Sequence, residues 1–169
     1  MSLTRNLLKS ISLAAVVITG AILTSGSGLA APGGDSARGR VDTGSLTVVF
    51  RAASSATGFN ASGDFRLTNR GTDPDQVYTG EVTCLRVIAA TATTPATAVI
   101  GGVITSAPAG ASVSSFLITA SDPGKFSTSP DTFGFFLSSA PPPPDGGCAT
   151  PSFMSPVSDG EIIIENAIP

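Results

Sequence analysis

Short runs of alternating apolar and polar residues fill this chain from Ser45 onwards, and they constrain its fold more than any other feature. In the first run, Leu46, Val48 and Phe50 share one parity. A period of two is typical of a strand that buries one face. Similar runs cover residues 59–68, 77–88, 98–105, 113–122, 132–137 and 161–166. The sequence therefore predicts about seven strands.

Turn-forming residues separate these runs, as in NRGTDPDQ at 69–76 and DPG at 122–124. The turns recur at intervals near the roughly 8–12 residues expected of an all-β sandwich or barrel. No apolar stripe at helical spacing follows residue 30. We expect an all-β fold, either a single antiparallel β-barrel or a β-sandwich, with short connections that favour a meander. The pair Gly101-Gly102 inside one strand indicates a bend or a bulge.

The first 30 residues have a different character. Arg5 and Lys9 give a basic start, residues 11–23 form an apolar run, and Gly28 and Ala30 are small residues at its exit. This is the pattern of a secretory signal peptide. The apolar run is shorter than the roughly 20 residues that a membrane-spanning helix needs. We therefore expect cleavage after Ala30 and secretion to the extracellular space, with no membrane insertion after cleavage.

These patterns divide the chain into three parts. Residues 1–30 form the predicted signal peptide. Residues 31–44 (APGGDSARGRVDTG) are rich in glycine and charge and show no period, which predicts a flexible mature N-terminus. Residues 45–169 then form one all-β domain of ordinary size.

The charge of the mature chain limits its partners. Cleavage removes Arg5 and Lys9, so the seven remaining basic residues face twelve acidic ones. Nucleic acids and anionic membrane surfaces attract basic proteins. We therefore expect no nucleic-acid partner. The open possibilities are an extracellular partner or a small ligand.

The chain has two cysteines, Cys84 and Cys148, and no histidine. In an exported protein an even number of cysteines favours a disulfide. The alternatives, a metal site or a catalytic thiol, normally need histidine partners. We therefore predict a Cys84–Cys148 bridge that pins the segment after the four-proline run at 141–144 onto the sheet.

Four aspartates in turns are candidate calcium ligands. Asp73 and Asp75 flank a proline, and Asp122 and Asp131 bracket the loop DPGKFSTSPD. Calcium takes six to eight oxygen ligands and tolerates loop geometry. Aspartate beside proline or glycine is also ordinary turn chemistry, so both interpretations stay open.

Catalytic signatures are sparse. Asp64 and Glu81 lie on neighbouring predicted strands and could act as paired carboxylates of a glycoside hydrolase, or they are two surface charges. Without histidine, a Ser-His-Asp triad is impossible. No phosphate-binding glycine loop is present either. We expect a protein with no catalytic residues and no cofactor.

Several segments together resemble a group of small secreted bacterial all-β proteins of uncharacterised function, which share a GEVTCLRV-type strand. The matching segments are ASGDF at 61–65, YTGEVTCLRV at 78–87, AVIGGVIT at 98–105, ITASDPG at 118–124 and EIIIEN at 161–166. The group often has a short Gly-Asn turn after the cysteine strand, where this chain has IAATATTPAT. The resemblance implies a secreted, disulfide-bonded β domain and implies no activity.

Three functions are consistent with these observations. The first is a secreted, non-catalytic β domain with a structural or interaction role at its surface. The second is a β-barrel that binds a small ligand or calcium, which requires an unfilled cavity. The third is a hydrolase that works through carboxylates, which requires an acid in a cleft.

Overall fold

The structure is a computed structural model. It describes residues 34–55, 59–125, 127–142, 148 and 154–167. The predicted signal peptide at 1–30, with its cleavage point at Ala30, lies outside the described residues. The described part is all-β, as predicted, and contains no helix. Its strands are β1 (Ser36–Asp42), β2 (Leu46–Ala53), β3 (Ser62–Asn69), β4 (Gln76–Ile88), β5 (Ala96–Ser106), β6 (Ser115–Asp122), β7 (Thr132–Ser138), β8 (Ser155–Pro156) and β9 (Asp159–Glu165).

All nine strands belong to one antiparallel sheet with the order β8-β7-β6-β5-β4-β3-β2-β1-β9. Strands β1 to β8 follow one another as a meander, and β9 returns to pair with β1 along its whole length. The sheet curls into a half-barrel, and this curvature also brings β9 against β6. The architecture is therefore a single curled sheet, in line with the predicted barrel and meander.

The described part of the chain has nine strands, two more than the seven that the sequence predicts. The two-residue β8 is too short to leave a period in the sequence. Strand β1 corrects the expectation that residues 31–44 form a flexible N-terminus, because it pairs with β2 on one side and β9 on the other. Its inner face carries only Ala37, Gly39 and Val41, with arginines on the outer face. Such small side chains give a weak apolar signal although Ala37 and Val41 are fully buried.

A bulge in β4 reverses the alternation of its side chains. Val82 pairs with Gly102 and Cys84 pairs with Gly101, so Thr83 has no opposite residue on β5. Val82 points inward before the bulge and Leu85 points inward after it, because one extra residue shifts the period of two. The predicted irregularity at the glycine pair is therefore present, but the extra residue lies on the neighbouring strand. Among the described side chains, the Thr83 hydroxyl is the buried polar group without a hydrogen-bond partner.

Phenylalanine rings fill the interior of the curled sheet by lying over glycines of the adjacent strand. The directly opposed pairs are Phe50 with Gly39, Phe65 with Gly80 and Phe116 with Gly102. The rings also stack on one another, with centroids 4.3 Å apart for Phe65 and Phe116 and 6.0 Å apart for Phe50 and Phe133. A glycine leaves open the space above the backbone that a ring then occupies. The interior is therefore a packed aromatic core.

Replacing one of these glycines tests the packing. A Cβ atom at position 102 would lie 2.6 Å from two carbons of the Phe116 ring and would overlap the carbonyl oxygen of Glu81. We expect Gly102→Ala to lower the free energy of unfolding by about 2 kcal/mol, measured by urea denaturation. The control is Gly71→Ala in an exposed turn, where the new Cβ would meet only the Asn69 side-chain oxygen at 3.1 Å and the Ser45 Cβ at 3.7 Å. An equal or smaller loss in Gly102→Ala than in the control would contradict the ring-over-glycine packing.

Candidate functional site

The two ends of the curled sheet meet at a seam, where β9 faces the end of β6 and the start of β7. The backbone N–H of Ile162 donates to Asp131 Oδ2 at 2.8 Å, and that of Ile164 donates to Asp122 Oδ2 at 3.3 Å. The N–H of Val157 also donates to the backbone oxygen of Asp131 at 2.8 Å. Two aspartate side chains thus accept the N–H groups on the edge of β9 that β1 does not pair.

The structure separates the four candidate calcium ligands into two places. Asp73 and Asp75 are exposed in the turn between β3 and β4. Asp122 and Asp131 lie together at the seam, where Asp122 also accepts the N–H of Gly124 at 2.6 Å through its Oδ1. Within the described residues no three acidic or sulfur ligands gather as a metal site. The structure gives Asp122 and Asp131 a backbone-binding role that the turn pattern did not predict, and calcium binding stays a prediction.

Asp131 sits in an unfavourable place for a negative charge. Partial burial raises the pKa of its carboxyl above the ordinary value of 3.8, and the nearby carboxylates of Asp122 and Glu161 raise it further. The hydrogen bond from Ile162 acts in the opposite direction but does not offset these effects. The folded protein therefore holds a proton on Asp131 more readily than the unfolded chain does.

This raised pKa predicts a pH dependence of stability. The contribution of Asp131 to stability is greatest below the pKa that its carboxyl has in the unfolded chain. It falls as the pH rises through the higher pKa of the same carboxyl in the folded protein. Asp131→Asn keeps an acceptor for Ile162 without the charge, so it should gain stability over the wild type as the pH rises through this window. Asp131→Ala should be about 1 kcal/mol less stable than Asp131→Asn at every pH, because it loses the acceptor.

Urea denaturation of the three proteins from about pH 3 to about pH 7 measures both effects. The wild type and Asp131→Asn should converge at the acid end, where the wild-type carboxyl is protonated. If Asp131→Asn were as unstable as Asp131→Ala at neutral pH, the inference that the side chain of Asp131 stabilises the fold as an acceptor for the Ile162 N–H would be wrong.

An open apolar cleft of about 300 Å³ lies beside the seam. It separates the hairpin of β1 and β2 from β7 and β8. Its lining residues are Val41, Thr43, Leu46, Val48, Phe133, Gly134, Phe135 and Ser155. The side chain of Phe135 is 37% exposed there, and the neighbouring Phe136, on the outer face, is 64% exposed. The cleft is therefore an apolar surface that the described part of the chain leaves open.

A polar cluster holds the hairpin on the β1–β2 side of this cleft. Thr47 donates its hydroxyl to Asp42 at 2.9 Å, and Arg70 donates to the Thr47 oxygen at 2.6 Å and lies 3.4 Å from Asp42. The N–H of Gly44 also donates to Asp42, at 2.9 Å. This N–H contributes most to lowering the pKa of Asp42, followed by the Thr47 hydroxyl, and Arg70 adds to the effect. The cluster fixes the turn that forms one wall of the cleft.

The carboxylates considered for a hydrolase lie elsewhere. Asp64 and Glu81 are directly opposite each other on β3 and β4, with Arg51 opposite Asp64 on its other side. Both are exposed, on the outer face of the sheet, and neither lines the cleft. The structure thus brings the pair together but on an open surface, where solvent surrounds both charges.

Cys84 and Cys148 lie at disulfide distance, with their Cα atoms 5.7 Å apart. The bulge at Thr83 turns Cys84 to the outer face, where it packs with Val99, Leu117 and Cys148. The bridge therefore ties the segment that follows β7 to the outer face of the central strand β4. A disulfide is compatible with an extracellular location.

Removing the bridge tests its contribution. The cysteines are 64 residues apart in the sequence, and closing a loop of this size stabilises a protein by about 4 kcal/mol in the chain-entropy model. We expect Cys148→Ser to lose about that much unfolding free energy in urea. The wild type in excess reductant should fall to the same value, whereas the variant should not respond to reductant. A reductant-insensitive wild type would contradict the bridge.

No protein-family model matches this chain, and neither a curated protein nor a solved structure shows significant similarity to it. In the part of the chain that the structure describes, no helix has the length and apolar character needed to cross a membrane.

Proposed function

We propose that this chain is a secreted, non-catalytic β domain that acts by contacting another molecule through its surface. The observation that carries the proposal is the apolar surface at the seam, where the cleft meets β7. Soluble proteins rarely expose contiguous apolar surface unless it is used for contact. Here that surface is the apolar wall of the cleft around Phe135, which is 37% exposed, and Phe136 adds an exposed ring on the opposite face of the same strand.

The packed interior supports the same proposal. A barrel that encloses a ligand needs unfilled volume among its inward side chains. Here the stacked rings of Phe50, Phe65, Phe116 and Phe133 occupy that volume. With the interior filled, the protein contacts other molecules at its outer surface and at the seam. The predicted signal peptide and the cysteine pair support export.

A small apolar ligand in the cleft is the second candidate. The cleft volume of about 300 Å³ lies at the lower end of the range for small-molecule sites, which is roughly 300–1,000 Å³. Apolar walls with two hydroxyl groups, those of Thr43 and Ser155, suit such a ligand. The cleft is open on one side, so it would cover only part of the molecule.

Native mass spectrometry of the protein from culture supernatant, before and after a chelator, separates these candidates. The proposal expects the bare polypeptide mass beginning at Ala31, two hydrogens lighter for the disulfide, as one copy or a multiple of it. Protein that stays in the cells with residues 1–30 attached would overturn secretion.

Added mass would also overturn the proposal, and its origin can be assigned. The mass of a calcium ion that the chelator removes would identify calcium. Its loss from an Asp73→Asn and Asp75→Asn double variant, or from an Asp122→Asn and Asp131→Asn double variant, would locate the site. Mass that survives the chelator would identify an organic ligand. It should then be lost from Ser155→Trp, which fills the rim of the cleft, and kept by Ser129→Trp in an exposed loop.

A further inference from the structure

Four exposed arginines form a basic patch on the outer face of β1, β2 and β3. Arg40 and Arg66 lie directly opposite Val49, one on each side of it. Arg51 is two residues further along β2 on the same face, and Arg38 lies directly opposite it. Direct and diagonal neighbours in a sheet have Cβ atoms about 5 Å and roughly 7–8 Å apart. The four side chains, here called the arginine patch, therefore surround one half-buried valine.

The arginine patch is an open surface, away from the other features of the outer face. The three strands that build it are described without a gap. Cys148 packs against a different part of the outer face, at Cys84, Val99 and Leu117 of β4, β5 and β6. None of the four arginines lines the cleft at the seam. The patch is therefore a second surface at which this protein can contact another molecule.

The charges of the arginine patch have little compensation from the protein itself. Within the described residues, one ion pair reaches the patch, between Arg40 and Asp42 at 3.8 Å. In the same part of the chain Arg38, Arg51 and Arg66 make no ion pair and no side-chain hydrogen bond. Like charges directly opposite each other, as in Arg38 and Arg51, destabilise a sheet. Residues that break a folding rule without a compensating contact are commonly those that serve function.

We propose that the arginine patch binds an acidic polysaccharide through the carboxylate groups of its sugars. The planar guanidinium group of arginine donates two parallel hydrogen bonds to a carboxylate. Closely spaced arginines on neighbouring strands can therefore hold successive carboxylates of one polymer. The inference rests on the proposed function, because it gives a secreted, surface-acting domain a class of partner.

The form of the surface favours a polysaccharide over an acidic peptide. Proteins commonly bind peptides by adding a strand to a sheet edge or by filling an apolar groove. Along the patch, β2 pairs with β1 on one edge and with β3 on the other, so its backbone offers no free edge. The hydroxyl groups of a polysaccharide can stay in water while its carboxylates pair with the arginines.

The surrounding charges favour a polymer with spaced anions over a nucleic acid. Duplex DNA carries one negative charge per about 1.7 Å of its axis. Glu161 lies directly opposite Arg40 on β9, and Asp64 lies directly opposite Arg51 on β3, so carboxylates flank the patch on both sides. These acids repel a dense polyanion that extends past the patch. A polysaccharide with one carboxylate per sugar places fewer charges against them.

Isothermal titration calorimetry of the mature protein with polygalacturonate tests the proposal, and neutral dextran is the control polymer. In dilute salt we expect binding to polygalacturonate and none to dextran. The affinity should fall at least about 10-fold between about 20 mM and about 200 mM salt, because salt screens exposed charges.

Substitutions locate the binding surface. Arg38→Gln should weaken binding about 5-fold, and the Arg38→Gln and Arg51→Gln double variant at least about 20-fold, because the patch loses one and then two charged groups. The matched control is Arg86→Gln. Arg86 is also exposed on the outer face, but it lies beyond the bulge, opposite Val99 on β5. This variant should bind like the wild type.

Urea denaturation separates a binding role from a structural one. Arg38→Gln should be at least as stable as the wild type, because it removes one of two like charges that face each other. A clear loss of stability in this variant would assign Arg38 to the fold and overturn its binding role.

Three binding results would also overturn the inference. One is the absence of binding to polygalacturonate in dilute salt. Another is a double variant that binds as tightly as the wild type. The third is tighter binding to duplex DNA or to poly-glutamate, which would make the partner a nucleic acid or an acidic peptide.

These outcomes are distinct from failure of the proposed function. Absence of polygalacturonate binding would leave a secreted domain that acts through the apolar surface at the seam. Protein retained in the cells, or a ligand or metal ion found in the native mass spectrum, would overturn the proposed function whatever the arginine patch binds.

Discussion

Incomplete closure of one curled sheet is the constraint on which the rest of this structure depends. A meander of antiparallel strands satisfies its backbone groups internally but leaves two edges unless the barrel closes. Here β9 pairs with β1 and approaches β6, yet among the described strands no ladder joins the two ends. The two aspartates that accept backbone N–H groups of β9, Asp122 and Asp131, and the apolar cleft both lie along this one seam.

The aromatic core explains why the functional surface lies at the seam. Phe65 and Phe116 stack at 4.3 Å over Gly80 and Gly102, so the central strands approach closely and leave little space between their inner faces. A barrel with small interior side chains could hold a ligand. In this protein the rings take that place, and the described residues leave an open apolar cleft where the walls separate, beside Phe135.

The sequence predicted the strands that bury large side chains in alternation, and it missed features that depend on pairing. Strand β1 was missed because Ala37 and Val41 give little periodic signal, and its position comes from partners on both sides. The bulge at Thr83 shifts the buried side chains of β4 from one parity to the other. Apolar residues therefore occur at both parities in the sequence, a pattern that indicates a central strand rather than a bulge. That bulge directs Cys84 outward and makes the predicted bridge with Cys148 geometrically accessible.

Other parts of the candidate site were beyond sequence reasoning for a physical reason. Asp122 and Asp131 carry the same turn chemistry whether they bind calcium or backbone N–H groups. Only the curvature of the sheet brings them to Ile162 and Ile164. The cleft has the same origin, since its two walls come from strands at opposite ends of the meander.

The two edges of the sheet are treated differently, and this difference bears on assembly. On β9, carboxylates occupy the N–H groups of Ile162 and Ile164, so a strand from another molecule cannot use them. At the other end of the meander, the exposed side chains of β7 are apolar, with Phe135 37% and Phe136 64% exposed. The aspartates thus protect one end of the sheet from strand addition, in the way that natural sheets use charged side chains to protect their edges.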